Sequence, residues 1–218
     1  SAMALIRSAY QDELDGVSQS LVDLTNMVTA SVVKASKAVQ SADLELAEEV
    51  IATDLKIDEY QHELDARIID IIARQQPVAS DLRALVTAMR MSADLERMGD
   101  LAHHIAKVAR LRHPDRAIPE ALLLPFTEMG HVAEKLSIMV ATVIASRDTT
   151  MALQVEKDDD EMDDLHKKVI STIINEGSGL SNESAIDLTL LGRYYERYAD
   201  HAVSVARRVY FLVTGTFA

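Results

Sequence analysis

A segment of twenty residues occurs twice in this chain, one hundred positions apart. The copies read RMSADLERMGDLAHHIAKVA at residues 90–109 and LLGRYYERYADHAVSVARRV at residues 190–209. Five pairs are identical: Glu96 and Glu196, Arg97 and Arg197, Asp100 and Asp200, Ala102 and Ala202, and Ala106 and Ala206. A long internal repeat with helical spacing predicts an architecture in which one helical unit is built twice.

The spacing of apolar residues predicts six helices. Alternating steps of three and four, the pattern of a buried helical face, define six seams. They run over residues 14–38, 47–71, 88–109, 126–143, 162–173 and 188–212. Gly and Pro together number only 11, and aromatic residues make up 4% of the chain. This composition favours a few long helices over many short strands.

Turn-forming residues separate the seams. They are Ser41 to Asp43, Pro77, Ser146 to Asp148, and Gly177 to Gly179, with Ser181 or Asn182 predicted as the cap of the sixth helix. Pro114 and Pro119 interrupt the middle of the chain. We therefore predict an all-α fold of six long helices, arranged as a tandem repeat of two antiparallel three-helix bundles. The first bundle is predicted over residues 3–113 and the second over residues 119–213.

The charge of the chain limits its partners. With 35 acidic and 22 basic residues the formal net charge is −13, which disfavours nucleic acid and anionic membrane surfaces. The chain has no cysteine, so it has no disulfide and no thiolate metal site, as is usual in a reducing cytosol. No apolar run approaches the roughly 18 residues of a transmembrane helix, and no signal-peptide core is seen at the N-terminus. We expect no direct membrane insertion.

The repeated segment carries a pair of carboxylates in each copy. Glu96 and Asp100, like Glu196 and Asp200, are four positions apart and so lie on one face of a helix, one turn from each other. Two negative charges at this spacing repel by about 0.2–0.5 kcal/mol in an isolated helix. The pattern therefore indicates either a bound cation or simple exposure to solvent.

A second acidic pair lies on the second helix of each repeat. Asp54 and Asp58 have counterparts in Asp159 and Asp163, here 105 positions later. If the second and third helices pack antiparallel, four carboxylates converge in each half and form an oxygen-rich site for a hard or borderline cation. Counting heptad positions places all of these acids on an outer face rather than in the core.

Two alternatives remain open at this stage. Glu59 with His62, and Glu128 with His131, have the ExxH spacing of di-iron carboxylate bundles, in which the ligands project inward. The heptad count puts both pairs outside the core, which weakens a ferritin-like interpretation. The second alternative is a helical scaffold whose acids, including the run from Glu156 to Asp164, are only solvated.

Other chemical signals are weak. His103 and His104 follow Asp100 within one turn and His201 follows Asp200, so they are either peripheral ligands or solvated side chains. The chain has no nucleophile elbow, no phosphate-cradling glycine loop and no convincing Ser-His-Asp set. The sequence does not support an enzymatic activity.

The segments LERMGDLAHHIAKVA and YERYADHAVSVARRV, each preceded by a DxxxD helix, resemble the PhoU family of bacterial phosphate-signalling regulators. The resemblance covers the chain from about Tyr10 to Leu212. Ala199 stands where the family often has Gly, and His104 and Ser204 stand where it often has Asn. These differences leave the repeated carboxylates intact.

This resemblance implies metal ions, often clustered, at the two acidic surfaces. Glu96, Asp100, Glu196 and Asp200 are the implied ligands, with Asp54, Asp58, Asp159 and Asp163 as less certain partners. The implied metal is iron, zinc, magnesium or manganese. The implied function is negative regulation of phosphate uptake and phosphate-starvation signalling, by an adaptor between a phosphate ABC transporter ATPase and a sensor histidine kinase. Such a protein is expected to be cytoplasmic, peripheral to the membrane through its partners, and homodimeric.

Overall fold

The computed structural model describes residues 1–175 and 178–215, and this part of the chain is almost entirely helical. Its six helices are α1 (Ala2–Ser41), α2 (Leu44–Gln75), α3 (Ala79–Arg112), α4 (Glu120–Ser146), α5 (Thr149–Ile174) and α6 (Asn182–Thr214). The predicted all-α fold of six helices is confirmed. The first helix starts earlier than its seam, since residues 2–9 are helical but exposed.

The connection between the first two helices of each half has the same construction. Ala42 and Arg147, with φ of 54° and 57°, adopt the left-handed conformation that ends a helix. Asp43 and Asp148 follow, and each side chain accepts a hydrogen bond from a backbone N–H in the first turn of the next helix, at 3.1 Å. A two-residue connection forces the helices it joins to run antiparallel.

The cap at Asp43 gives a first testable prediction. The Asp43→Ala variant should lose about 1 kcal/mol of unfolding free energy, because a backbone donor at the start of α2 is left to water. For a chain of this size the melting temperature should fall by about 2–4 °C. Thermal unfolding followed by circular dichroism measures the loss, and Asp43→Asn, which keeps the capping oxygen, should melt near the wild type. Equal losses in the two variants would contradict a capping role.

Helices α2 and α3 lie antiparallel along their length. The hydroxyl of Ser92 donates to Asp65 at 2.7 Å, and further along the pair His103 bonds to Asp54 at 2.7 Å, so positions increase on one helix as they decrease on the other. This geometry brings the DxxxD pair of α2 against the ExxxD pair of α3, as the sequence predicts.

The two halves of the chain share one continuous core. Tyr195 and Tyr198 of α6 are fully buried, and their hydroxyl groups bond to Ser36 of α1 at 2.8 Å and to Ser137 of α4 at 2.5 Å. Helix α3 packs against α6, and α1 packs against α4. The halves are therefore fused along two helix pairs, and the division into bundles at residues 113–119 stays a prediction.

A partly buried ion pair also joins the halves. Arg112, near the end of α3, donates two hydrogen bonds, at 2.5 and 3.1 Å, to the carboxylate of Asp187 on α6. Asp187 is only 7% exposed, so this bidentate pair fixes the register of α3 against α6.

Within the described residues, none of the helices is both long enough and apolar enough to cross a membrane. The predicted stop at Gly177 lies outside the described residues, although α5 ends just before it, at Ile174. Ser181 is the cap of α6, and its hydroxyl accepts from the backbone N–H of Ser184 at 3.1 Å.

Candidate metal centres

The first acidic cluster consists of Asp54 and Asp58 on α2 with Glu96 and Asp100 on α3. The carboxyl groups of Asp58 and Glu96 are neighbours, and Asp58 contributes to the raised pKa of Glu96. One ligand atom from each of Asp54, Asp100 and His103 lies within 4.8 Å of the others, close enough for a single ion to contact all three. The convergence predicted from antiparallel packing is therefore present in this half.

Two carboxylate oxygens of this cluster are buried without a partner. They are Oδ1 of Asp54 and Oδ1 of Asp58. A buried acceptor with no hydrogen bond costs roughly 1–3 kcal/mol, so such atoms are rare in folded proteins unless an ion or a water occupies the space beside them. Two unpartnered oxygens one turn apart on α2, beside the acids of α3, fit a metal ion.

Burial corrects one prediction from the sequence. Asp54 is only 8% exposed, whereas the heptad count places it on an outer face. Asp58, Glu96 and Asp100 are partly buried. The count considers one seam, but α3 also covers the flank of α2 on which Asp54 lies. The acids thus line a cleft between helices instead of projecting into solvent.

The electrostatics of the first cluster disfavour negative charge. The pKa of Glu96 is raised to about 7, mainly by burial and then by the hydrogen bond and negative charge of Asp58 and the charge of Asp100. Burial also raises the pKa of Asp54, although its bond to His103 acts in the opposite direction. A cation between these groups would replace protons and remove the repulsion.

The second cluster is formed by α5 and α6. The pKa of Asp159 is raised to about 7, first by burial and then by the charge of Asp163, with Asp200 and Glu196 contributing. Burial followed by Glu196 likewise raises the pKa values of Asp163 and of Asp200, although Asp200 is exposed as a whole residue. Oδ1 of Asp159 is buried without a partner, as Oδ1 of Asp54 is.

The second cluster contains a histidine that the sequence analysis missed. His166 lies on α5, and its Nδ1 is 2.5 Å from Glu196, which also accepts a hydrogen bond from Arg193. His166 follows Asp163 by three positions, just as His103 follows Asp100, and that spacing is the signal that was available. A Cβ on Gly192 would meet the His166 ring at 3.1 Å, so glycine allows this close approach.

The two clusters differ in how closely their ligands converge. Within residues 1–175 and 178–215, only Asp54, Asp100 and His103 bring three potential ligand atoms within 4.8 Å of one another. In the second cluster Glu196 is paired with His166 and Arg193 instead. The potential ligand atoms of the first cluster are therefore closer to the arrangement that a single bound ion requires than those of the second cluster.

The ExxH pairs occupy the positions that the heptad count predicted. Glu59, His62, Glu128 and His131 are all exposed. Nδ1 of His62 bonds to the backbone carbonyl of Asp58 at 2.7 Å, which is a local contact along α2. These pairs do not project into the core, as a di-iron site of the ferritin type requires.

Two further histidines, His104 and His201, lie at the contact of α3 with α6. Nε2 of His104 is 3.4 Å from Asp100, and its ring stacks on Tyr194 with centroids 5.3 Å apart. His201 bonds to Asp94 at 3.0 Å. His201 is therefore engaged across the two halves and not with its neighbour Asp200.

The PhoU domain family matches this chain twice, over residues 21–109 and 126–209. The phosphate-specific transport system accessory protein PhoU homolog 2 of Mycobacterium tuberculosis is 42% identical over 97% of this chain and 100% of its own length. PhoU homolog 1 of Mycobacterium leprae is also 42% identical, over 97% of this chain and 96% of its own.

Solved structures agree with the sequence relatives. The crystal structure of the phosphate transport system regulatory protein PhoU from Streptococcus pneumoniae is similar to this chain with a TM-score of 0.86 and 26% identity, over 96% of this chain and 99% of that one. PhoU from Pseudomonas aeruginosa gives a TM-score of 0.84 and 27% identity, over 95% and 100% of the two chains. The chain belongs to the PhoU family.

Proposed function

We propose that this protein is a regulatory accessory of phosphate transport, and not an enzyme. The relatives that carry this name are 42% identical to this chain over nearly their whole length, which supports a shared role. Its role is negative regulation: when phosphate is plentiful it restrains uptake and the starvation response. Its partners are the ATPase of a phosphate ABC transporter and a sensor histidine kinase.

Each half of the chain holds a metal site in this proposal. The ligands are Asp54, Asp58, Glu96 and Asp100 in the bundle of residues 3–113, and Asp159, Asp163, Glu196 and Asp200 in the bundle of residues 119–213. The observation that carries the proposal is the set of buried carboxylate oxygens without partners, in both halves, beside carboxyl groups whose pKa values are raised. A donor set of carboxylates with one histidine suits magnesium, manganese, iron or zinc.

In each half, the acids of the paired helices repel one another: those of α2 repel those of α3, and those of α5 repel those of α6. A cation held by these carboxylates would supply positive charge that offsets the repulsion. The outer faces of both bundles would then keep one arrangement for a partner protein to recognise. The adaptor works at the cytoplasmic face of the membrane, through its partners, and as a homodimer.

Phosphate uptake in living cells tests the regulatory role. We expect a deletion strain grown with abundant phosphate to take up labelled phosphate several-fold faster than its parent. Wild-type protein restores control, and the double variant Glu96→Gln and Asp159→Asn restores it poorly. Glu59→Gln, which removes one exposed carboxylate of α2, serves as the control and should complement fully. Unchanged uptake in the deletion strain would refute the proposed function.

A further inference from the structure

A second cleft lies where α3 of the first half crosses α6 of the second, and Asp100 borders both this cleft and the first acidic cluster. Its volume is about 250 Å³, and its lining includes Arg97, Arg193, Arg197, His104 and His201. Asp100 is the single carboxylate among its lining residues. Three guanidinium groups against one carboxylate make this cleft locally positive in a chain whose net charge is −13.

The antiparallel crossing explains why the arginines meet. Arg97 and Arg197 occupy equivalent positions in the two copies of the repeated segment. Bonds from Asp94 to His201 and from Arg112 to Asp187 fix the register, and this register places the equivalent arginines at the same level of the crossing. Because the segment is duplicated, each half contributes one guanidinium group, from Arg97 or Arg197, to the same cleft.

The arginines of this cleft are not all neutralised by the protein. Arg193 is paired with Glu196 at 2.5 Å. In the described part of the chain, by contrast, neither Arg97 nor Arg197 has a carboxylate within the 4.0 Å of an ion pair, although other exposed arginines such as Arg74 do. Two guanidinium groups therefore remain available to an anion from outside.

The histidines of the cleft are held in place by neighbours. The His104 ring stacks on Tyr194, which also lines the cleft, with centroids 5.3 Å apart. Nδ1 of His201 is held by Asp94 at 3.0 Å, which leaves its Nε2 outside that bond. These positioned rings lie beside exposed guanidinium groups, so the cleft offers both shape and charge to a small ligand.

We propose that this cleft binds a phosphate group, either as inorganic phosphate or as part of a small phosphorylated molecule. The planar fork of arginine matches the oxygens of phosphate and donates two parallel hydrogen bonds to it. A ligand between Arg97 and Arg197 joins the two halves of the chain. The protein then senses its ligand directly, which goes beyond a role as an adaptor and does not depend on it.

Calorimetric titration with inorganic phosphate tests the cleft. The full chain is first treated with chelator and dialysed, so that a bound metal ion does not supply the affinity. We expect saturable binding to the wild type, weakened about tenfold or more in the double variant Arg97→Ala and Arg197→Ala, since each lost charged hydrogen bond is worth a large part of a tenfold change. The variant Arg97→Lys and Arg197→Lys, which keeps the charge but not the fork, should be intermediate.

Arg110→Ala is the matched control, because Arg110 is exposed on α3 but does not line the cleft. It should bind phosphate like the wild type. A parallel titration with a nucleoside monophosphate separates the two sources: tighter binding of the nucleotide assigns the cleft to a phosphorylated molecule, and binding of phosphate alone assigns it to the free anion. The proposal would be overturned if neither phosphate nor the nucleotide bound saturably to the wild type. It would also be overturned if the double alanine variant bound them as tightly as the wild type does.

Metal content distinguishes a failure here from a failure of the proposed function. The double alanine variant should keep the helical circular dichroism and the metal content of the wild type. If the wild-type protein binds neither phosphate nor the nucleotide but has normal metal content and controls uptake normally, the cleft is not a phosphate site. The proposed role as a metal-dependent regulator would still stand.

Discussion

After treatment with chelator, the double variant Glu96→Gln and Asp159→Asn should unfold at a higher temperature than the wild type at pH 8. Both carboxyl groups have a pKa of about 7, raised mainly by burial, so at pH 8 each is ionised in an unfavourable place. Amides of the same shape carry no charge. We expect a gain on the order of 2 kcal/mol, or about 4–8 °C in melting temperature.

The same variant should lose the response to metal. For a single site, a cation at one hundred times its dissociation constant stabilises the folded state by about 2.7 kcal/mol. Wild-type protein with Mn²⁺ should therefore melt above its chelator-treated form, and the variant should show little change. Differential scanning calorimetry with and without Mn²⁺ measures both effects. Glu59→Gln, which makes the same change of charge at an exposed position, should behave as the wild type does; a variant less stable than the wild type in chelator would contradict the account.

The second large effect is a dependence of stability on pH. A carboxyl group whose pKa is raised by folding binds more protons in the folded than in the unfolded state, between its ordinary and its raised value. Stability is therefore present at low pH and lost as pH rises from the ordinary values, 3.8 for Asp159 and 4.5 for Glu96, to about 7. We expect the metal-free protein to lose on the order of 3 kcal/mol across this window.

Two other carboxyl groups, those of Asp94 and Glu13, affect the stability of the protein at a lower pH. Burial tends to raise the pKa of Asp94, but hydrogen bonds from His201, Ser204 and Arg208 outweigh it and the pKa is lowered. A hydrogen bond from Arg74 lowers the pKa of Glu13. Both contributions are lost only as pH falls below the ordinary values of 3.8 and 4.5, so they do not mask the effect near neutral pH.

Urea unfolding at a series of pH values measures this dependence. Stability of the chelator-treated protein should be highest near pH 5 and lower at pH 8, and saturating Mn²⁺ should remove the loss, because the metal displaces the same protons. The double amide variant should show a much flatter profile. Stability that rises between pH 5 and pH 7 in chelator would show that the acids are not destabilising in the folded protein.

The register of the apolar seams was sufficient to predict the helices and the meeting of the acids. Steps of three and four placed Asp54 and Asp58 on one helix and Glu96 and Asp100 on the next. Antiparallel packing of these helices then brings the two acidic pairs together. The burial of Asp54 was not predictable in this way. A heptad count describes the contact with one neighbour, whereas in the folded chain each helix is flanked by at least two.

The asymmetry between the halves was also hidden in the sequence. Asp94 and Tyr194 are equivalent positions, yet Asp94 bonds to His201 and Tyr194 stacks on His104. These contacts arise only where α3 crosses α6, and an internal alignment gives no information about which residues lie opposite each other there. The cleft that contains Arg97 and Arg197 was missed for the same reason, because the repeat shows that the two arginines are equivalent but not that they lie close together.

Anomalous diffraction from crystals grown with Mn²⁺ would show whether both acidic clusters bind metal. We expect a strong anomalous peak in each half: one within coordinating distance of Asp54 and Asp100, and one within coordinating distance of Asp159 and Asp200. Both peaks should be absent in crystals of the Glu96→Gln and Asp159→Asn variant grown in the same way. Wild-type crystals with no peak at either acidic cluster would contradict metal binding there.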